Sequence, residues 1–181
     1  PGVFEVLAGR NLDLGSGTPN ADGTGAGISG IGNLRNPALP FTGARVVVLA
    51  GIGPSTGLAG SILQIDDFLA RYGSEIPAVS TPGGGTLSPE REALDALDLL
   101  FEIIRASVKE AAETKDYSRG TAAIETMFGN LDIQGSIFTQ ERDIKTKPGG
   151  ALGVLAPGGG ITIASNLTGA QQTPPGILTE Y

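Results

Sequence analysis

The residues able to do chemistry in this chain are few, and two absences narrow them first. Cysteine and histidine do not occur. That removes thiolate nucleophiles, Ser-His and Cys-His dyads, and the usual zinc and iron ligand sets. Glycine-rich turns, carboxylates and a few cations are left. Gly25-Ala-Gly27-Ile-Ser-Gly30 spells the pattern G-x-G-x-x-G. It holds a dinucleotide only where a strand precedes it and a helix follows, so that the pyrophosphate meets the helix N-terminus. Here glycine-rich sequence precedes it, and Ile31-Gly-Asn-Leu-Arg-Asn-Pro37 is unsuited to opening a helix. These glycines read as turn residues. Lys145-Thr146 lacks the glycine that a P-loop sets before its lysine, so nucleotide binding is not expected.

The carboxylates give no stronger signal. Asp66-Asp67 pairs two acids between Ile65 and Phe68. Neighbours on a helix point about 100° apart and do not converge on one bond, so they read as a solvated face near a helix start. Asn20-Ala-Asp22-Gly-Thr24 matches part of a calcium loop. It lacks the later glutamate, and Asn and Asp before Gly are ordinary turn residues. Asn166-Leu-Thr168 is a glycosylation sequon, meaningful only on a eukaryotic secretory route. An enzyme acting on acidic glycans would need acids to hold Ca²⁺ and an Arg or Lys base along one sheet face. The set open to it is Arg10, Asp13, Arg45, Asp143 and Lys145. No catalytic, cofactor-binding or metal-binding residue is assigned.

Charge excludes further classes. The net charge is −7 and the isoelectric point about 4.5, a surface that repels phosphate backbones, so no nucleic-acid partner is expected. Aromatic residues make up only 5%, too few for base-stacking platforms. The longest apolar run, from Ala44 to Gly53, is too short to span a bilayer, so no membrane insertion is expected. The sequence starts at Pro1 without a methionine or a signal peptide and reads as a piece of something longer. Cysteine usage does not decide the compartment.

Two architectures share the chain. The outer parts, 1–61 and 129–181, are glycine-rich and read as short strands with turns. Phe4, Val6 and Ala8 alternate with Glu5 and Leu7, and Leu12-Asp13-Leu14 follows. Arg45-Val-Val-Val-Leu-Ala50 is a β-branched run, and Leu152-Gly-Val154 and Ile161-Thr-Ile163 flank Pro157-Gly-Gly-Gly160. Val-Leu-Ala recurs at 6–8, 48–50 and 154–156. Val6 to Leu14 parallels Val154 to Ile163 with one residue inserted. Stacked coils produce such self-similarity because each offers equivalent inward positions. The expected fold is mainly β, a parallel β-helix (solenoid) with an inserted α-helical segment, with a sandwich or barrel as the alternative.

The middle, 62–128, carries twelve acids against six bases, nearly the whole charge imbalance. Ser88-Pro89-Glu90 is a helix start, followed by an apolar stripe of Leu94, Leu97, Phe101, Ile104, Val108 and Ala111, widened by Leu100 and Ile103. This stripe is expected to pack on the solenoid flank. A second helix is expected from Tyr117 to Phe128, burying Ala122, Ile124 and Met127 or Phe128, with Gly129 ending it. A shorter one is expected over Ile62 to Tyr72 with Leu63, Phe68 and Leu69 inward. Ser74 to Leu87, with Pro77, Pro82 and Gly83-Gly84-Gly85, reads as a loop.

Five blocks in order carry a family resemblance: LAGRNLDLGSG (Leu7–Gly17), GISGIGNLRNPALPFTGA (Gly27–Ala44), YSRGTAAIETMFG (Tyr117–Gly129), DIKTKPGGALGVLAPGGGI (Asp143–Ile161) and GILTE (Gly176–Glu180). Together they resemble a domain of filamentous-haemagglutinin-like exoproteins, the secreted partners of bacterial two-partner secretion. The chain departs from that pattern at Ala151 and Gly153, where members more often carry Asp and a β-branched strand. The resemblance implies a right-handed β-helical parent, exported through a dedicated outer-membrane transporter as its partner, and secreted or held at the bacterial cell surface. It implies adhesion, aggregation or biofilm attachment, with cell-surface or matrix glycans or proteins as further partners, and no cofactor. A β-helical polysaccharide lyase or hydrolase is the rival expectation, and a purely structural spacer the third.

Overall fold

The computed structural model describes residues 2–16, 27–33, 35–54, 57–75, 88–129, 134–163 and 176–179. The elements run in the order β1 (Val3–Ala8), β2 (Leu12–Asp13), β3 (Gly27–Ile31), β4 (Arg45–Ala50), α1 (Ile65–Tyr72), a 3₁₀ turn (Gly73–Glu75), α2 (Pro89–Thr114), α3 (Ser118–Phe128), β5 (Ile137–Gln140), β6 (Asp143–Lys147), β7 (Leu152–Leu155), β8 (Ile161–Ile163) and β9 (Ile177–Thr179). The chain divides into two compact units, 1–51 with 133–181, and 52–132. The second takes in 52–61 and 129–132, which composition alone groups with the strands.

In the first unit the nine strands form three parallel three-stranded sheets, β1-β4-β7, β2-β5-β8 and β3-β6-β9. The chain supplies the sheets in strict rotation, one strand to each, three times over. The three Val-Leu-Ala tripeptides stand in register: Val6 faces Val48 and Leu7 faces Leu49, and Val48 and Leu49 face Val154 and Leu155 in turn. Leu12, Ile137 and Ile161 line up in the second sheet, and Ile28, Ile144 and Ile177 in the third.

Those aliphatic columns are the core. Ile28, Val46, Val48, Ala50, Ile137 and Ile144 form one buried cluster fed by all three sheets, with Val6, Leu12, Val154 and Ile177 packed against it. Burying each Val or Ile side chain stabilises by about 1.5–3 kcal/mol. Two polar side chains sit inside with their partners: Thr146 Oγ1 donates to the Gly150 carbonyl at 2.9 Å, and Thr139 Oγ1 to that of Thr162 at 3.5 Å. From Val46 to Ala50 β4 is buried on both faces, which is why that stretch is an unbroken apolar run. β6, Asp-Ile-Lys-Thr-Lys, buries only Ile144 and Thr146 and so alternates.

Small residues make the corners. Asn11 Oδ1 accepts from the Ser136 backbone N–H at 2.9 Å, and Ser136 Oγ from that of Gly160 at 3.2 Å. A Cβ on Gly135 would overlap the Arg10 carbonyl and stand 2.5 Å from the Gly51 Cα. Gly51 and Gly135 thus have Cα atoms within about 4 Å, the spacing of consecutive residues (~3.8 Å).

The second unit is helical. Ser88 Oγ accepts from the Arg91 N–H at 3.3 Å, and Pro89 opens α2. α2 buries Ala93, Ala96, Leu97, Leu100, Ile103 and Ser107 among others, while Val108 is 55% exposed. Leu94, Leu97, Leu100, Ile103 and Ala111 of the expected stripe are thus buried, and the departures are Phe101 and Ile104, only partly buried, and Val108. The cause is a close approach: Ser107 Oγ accepts the Gly120 N–H at 3.0 Å, and a Cβ on Gly120 would stand 3.1 Å from that of Ser107. Only small residues allow this, so the helices turn their small faces together. α3 buries Gly120, Ala123, Met127 and Phe128 rather than Ala122 and Ile124, and Gly129 ends it at φ 58°. α1 begins at Ile65, not Ile62: Gln64 is its N-cap, its carbonyl accepting the Phe68 N–H at 2.9 Å, while the Ile62 N–H donates to the Ile52 carbonyl (3.3 Å) and the Gln64 N–H to that of Met127 (2.7 Å). Gly73–Glu75 is a 3₁₀ turn, and the rest of the expected loop, 76–87, lies outside the described residues.

Candidate functional site

The dinucleotide-like glycines are structural. Gly27 and Gly30 lie in β3, and a loop, not a helix, follows. Gly27 takes φ 109°, and a Cβ there would overlap the Asp143 backbone. One on Gly30 would stand 2.8 Å from the Ala44 carbonyl. Both are needed for packing between strands, and Gly25 lies outside the described residues. Lys145 Nζ pairs with Asp143 Oδ2 at 2.8 Å, and Thr146 points into the core.

Asp66 and Asp67 are exposed in the first turn of α1, where carboxylates suit the positive end of the helix. Asn20, Asp22, Asn166 and Thr168 lie outside the described residues. The set available to a glycan-cleaving enzyme is dispersed. Arg45 lies on the first sheet, Asp13 on the second, and Asp143 and Lys145 on the third, with Arg10 in the bend after β1. Asp143 and Lys145 come together on β6. Asp143 Oδ1 also accepts the Gly176 N–H at 3.1 Å, and Asp13 Oδ1 accepts that of Gly15 at 2.8 Å, so both acids help build turns. Among the described residues no three acids cluster to hold a metal ion, and no helix is long and apolar enough to cross a membrane.

Among the described residues two ionisable groups depart from their ordinary values, and both serve the helices. Hydrogen bonding to Glu75, with its charge and that of Glu110, raises the Arg119 guanidinium; Arg119 bridges Glu75 at 2.7 Å and Glu110 at 2.9 Å. The Ser118 backbone N–H, and then its hydroxyl, lower Asp116; Asp116 Oδ1 accepts that N–H at 2.8 Å and so caps α3.

A surface that no sequence motif marks is the loop between β3 and β4. It is pinned at its ends, with Gly32 N–H donating to the Lys147 carbonyl at 2.6 Å and Gly43 N–H to that of Pro148 at 3.1 Å. Within it, Asn33 Oδ1 accepts the N–H groups of Arg35 and Asn36, each at 2.8 Å. Asn36 Oδ1 accepts that of Ala38 at 3.0 Å, and Asn33 N–H reaches the Pro40 carbonyl at 3.3 Å. This frame holds Ile31, Leu39 and Phe41 in solvent, at 71%, 52% and 64% exposure. Two shallow grooves adjoin along it and share Asn33 and Leu39. One, of about 310 Å³, is lined by Ile31, Pro40 and Thr42 as well; the other, of about 290 Å³, by Arg35, Asn36 and Phe41. The available signal was Asn33 and Asn36, typical initiators of side-chain-to-backbone turns, set among apolar residues with no strand or helix period to bury them.

Comparison with protein-family models, curated proteins and solved structures finds no match.

Proposed function

We propose that the chain is a non-catalytic part of a large bacterial surface exoprotein of the filamentous-haemagglutinin-like kind, acting in adhesion, aggregation or biofilm attachment. In this reading the three sheets are the walls of a right-handed parallel β-helix, and 52–132 is a helical insertion in its middle coil. The supporting observation is the strict rotation of strands among three parallel sheets, with the Val-Leu-Ala tripeptides in register. A stack of equivalent coils lengthens without limit and has no cleft of its own, which suits a rod that projects from a cell and presents its loops. The dispersal of Arg10, Asp13, Arg45, Asp143 and Lys145 favours attachment over cleavage. Export through a dedicated outer-membrane transporter follows from the resemblance as part of the same proposal.

The test is attachment by the whole chain. Beads coated with it should bind bacterial or host-cell surfaces and matrix material above uncoated beads, and should leave acidic polysaccharides uncut with or without Ca²⁺. Release of unsaturated uronates with turnover would replace this reading with the lyase. Beads that attach to nothing would leave the spacer.

A further inference from the structure

We propose that the loop between β3 and β4 is a binding site for a carboxylated polysaccharide, a uronate-bearing glycan, with Arg35 taking the carboxylate and Phe41 and Leu39 the apolar face of a sugar ring. This rests on the surface-attachment reading and names the ligand class for it.

Donor chemistry selects the ligand. The side-chain oxygens of Asn33 and Asn36 are spent on the loop's own backbone. Their amide nitrogens and the Arg35 guanidinium have no partner among the described residues, so the charged and amide groups facing the second groove are hydrogen-bond donors. No Asp or Glu occurs anywhere between Asp22 and Asp66 in a chain whose net charge is −7, and Arg35 is the one charged residue of the loop, 32–44. The loop suits an anion rich in acceptors. A peptide segment carries as many backbone N–H donors as carbonyl acceptors, and the grooves offer those donors few side-chain acceptors beyond the Thr42 hydroxyl. A polyuronate offers ring oxygens, hydroxyls and carboxylates along its whole length.

The geometry fits the same class. The grooves are shallow, open and continuous through Asn33 and Leu39, which suits a chain of rings crossing the loop rather than one small molecule enclosed in a pocket. Exposing Ile31, Leu39 and Phe41 together does nothing for the core, and grouped apolar exposure on a surface marks binding. The hydrogen bonds that pin the loop hold it in one shape, which lowers the ordering cost of binding.

The experiment is calorimetric titration of the full chain with a defined oligogalacturonate, against a neutral oligogalactose and a poly-glutamate peptide, at low and high salt. Saturable binding of the oligogalacturonate alone is expected, weakened by added salt and at least tenfold by Arg35→Gln and by Phe41→Ala. Both positions are exposed, so circular dichroism should show the fold unchanged. Lys109→Gln, an equal charge change on α2, should leave binding as it was. Absence of binding, equal binding of the neutral glycan or the peptide, or full binding by both loop variants would each overturn the assignment. If coated beads still attach to cells in any of these cases, the loop assignment falls and the surface-attachment reading stands.

Discussion

Replacing Ile144 by Ala, beside the same change at Ile177, tests whether the stacked columns carry the strand unit. Ile144 is the middle member of the Ile28–Ile144–Ile177 column and is fully buried. Ile177 is the last member and only partly buried. Ile→Ala removes three carbons, worth ~0.8 kcal/mol each in transfer free energy, or about 2.4 kcal/mol in a dry site. Strands above and below limit how far the middle position can collapse, and unfilled space adds ~24 cal/mol per Å³. The expected loss at Ile144 is therefore about 4 kcal/mol, and at Ile177 about 1–2 kcal/mol.

Urea unfolding followed by far-ultraviolet circular dichroism, with hydrogen exchange read on the β3, β6 and β9 amides, measures both. Ile144→Val should cost only about 1 kcal/mol, since one carbon goes and the branched shape stays. Equal losses at 144 and 177 would refute the reasoning, because the burial difference between the middle and last strands would then carry no energy. A loss under about 1 kcal/mol at Ile144 would do the same, since it requires a site that refills freely.

Two further outcomes follow from named contacts. Gly135→Ala forces a Cβ onto the Arg10 carbonyl and the Gly51 backbone and should cost about 3 kcal/mol in urea unfolding, whereas Gly160→Ala, with open space at its Cβ, should stay within about 0.5 kcal/mol; the reverse order would show the corner to be soft. Asp116 is lowered from its ordinary value of 3.8 by the Ser118 N–H, so the capping contribution is complete above the unfolded-state value and is lost as pH falls through the folded one. The Ser118 amide shift in NMR should therefore titrate with a midpoint below 3.8, and Asp116→Asn should abolish that titration; a midpoint above 3.8 would mean that the cap does not form.

What could be read in advance follows from which forces are local. β1, β4, β7 and β8 carry their own alternation or β-branched run, and the repeat of Val-Leu-Ala predicted which residues face one another. β3 did not look like a strand, because Gly27 and Gly30 carry turn chemistry in isolation. Full-length pairing with β6 overrides that preference, and strand propensity is weak against such context. Helix α2 was legible in its start and in most of its buried stripe, but not at Val108. Hydrophobicity places Val108 inside, whereas contact with Gly120 places Ser107 there, and a small residue's value at a close crossing shows only once its partner is known. The exposed loop escaped for a similar reason: Asn33 and Asn36 predict turns, but nothing local says that Ile31, Leu39 and Phe41 stay in water.

The corner at Gly51 and Gly135 ties the two architectures together in sequence. Ala8 pairs with Ala50 and Leu12 with Ile137. In the first pass, Gly9-Arg10-Asn11 alone joins the two sheets. If Gly51 were bonded directly to Gly135, then Gly51-Gly135-Ser136 would join them over the same number of residues. Their Cα atoms already lie at about the spacing of chain neighbours. Ser136 stands where Asn11 stood and is held by it, and Gly51 N–H donates to the Ala8 and Arg10 carbonyls of the first pass. Residues 52–134 therefore interrupt the strand unit at what amounts to one peptide bond, in a corner whose geometry the first pass already sets. Such a position tolerates a large addition, because the ends of the added segment meet and the register on either side is fixed by pairing rather than by the connection. The acidic, helical composition of the middle can then differ from that of the flanks without disturbing a single strand pair.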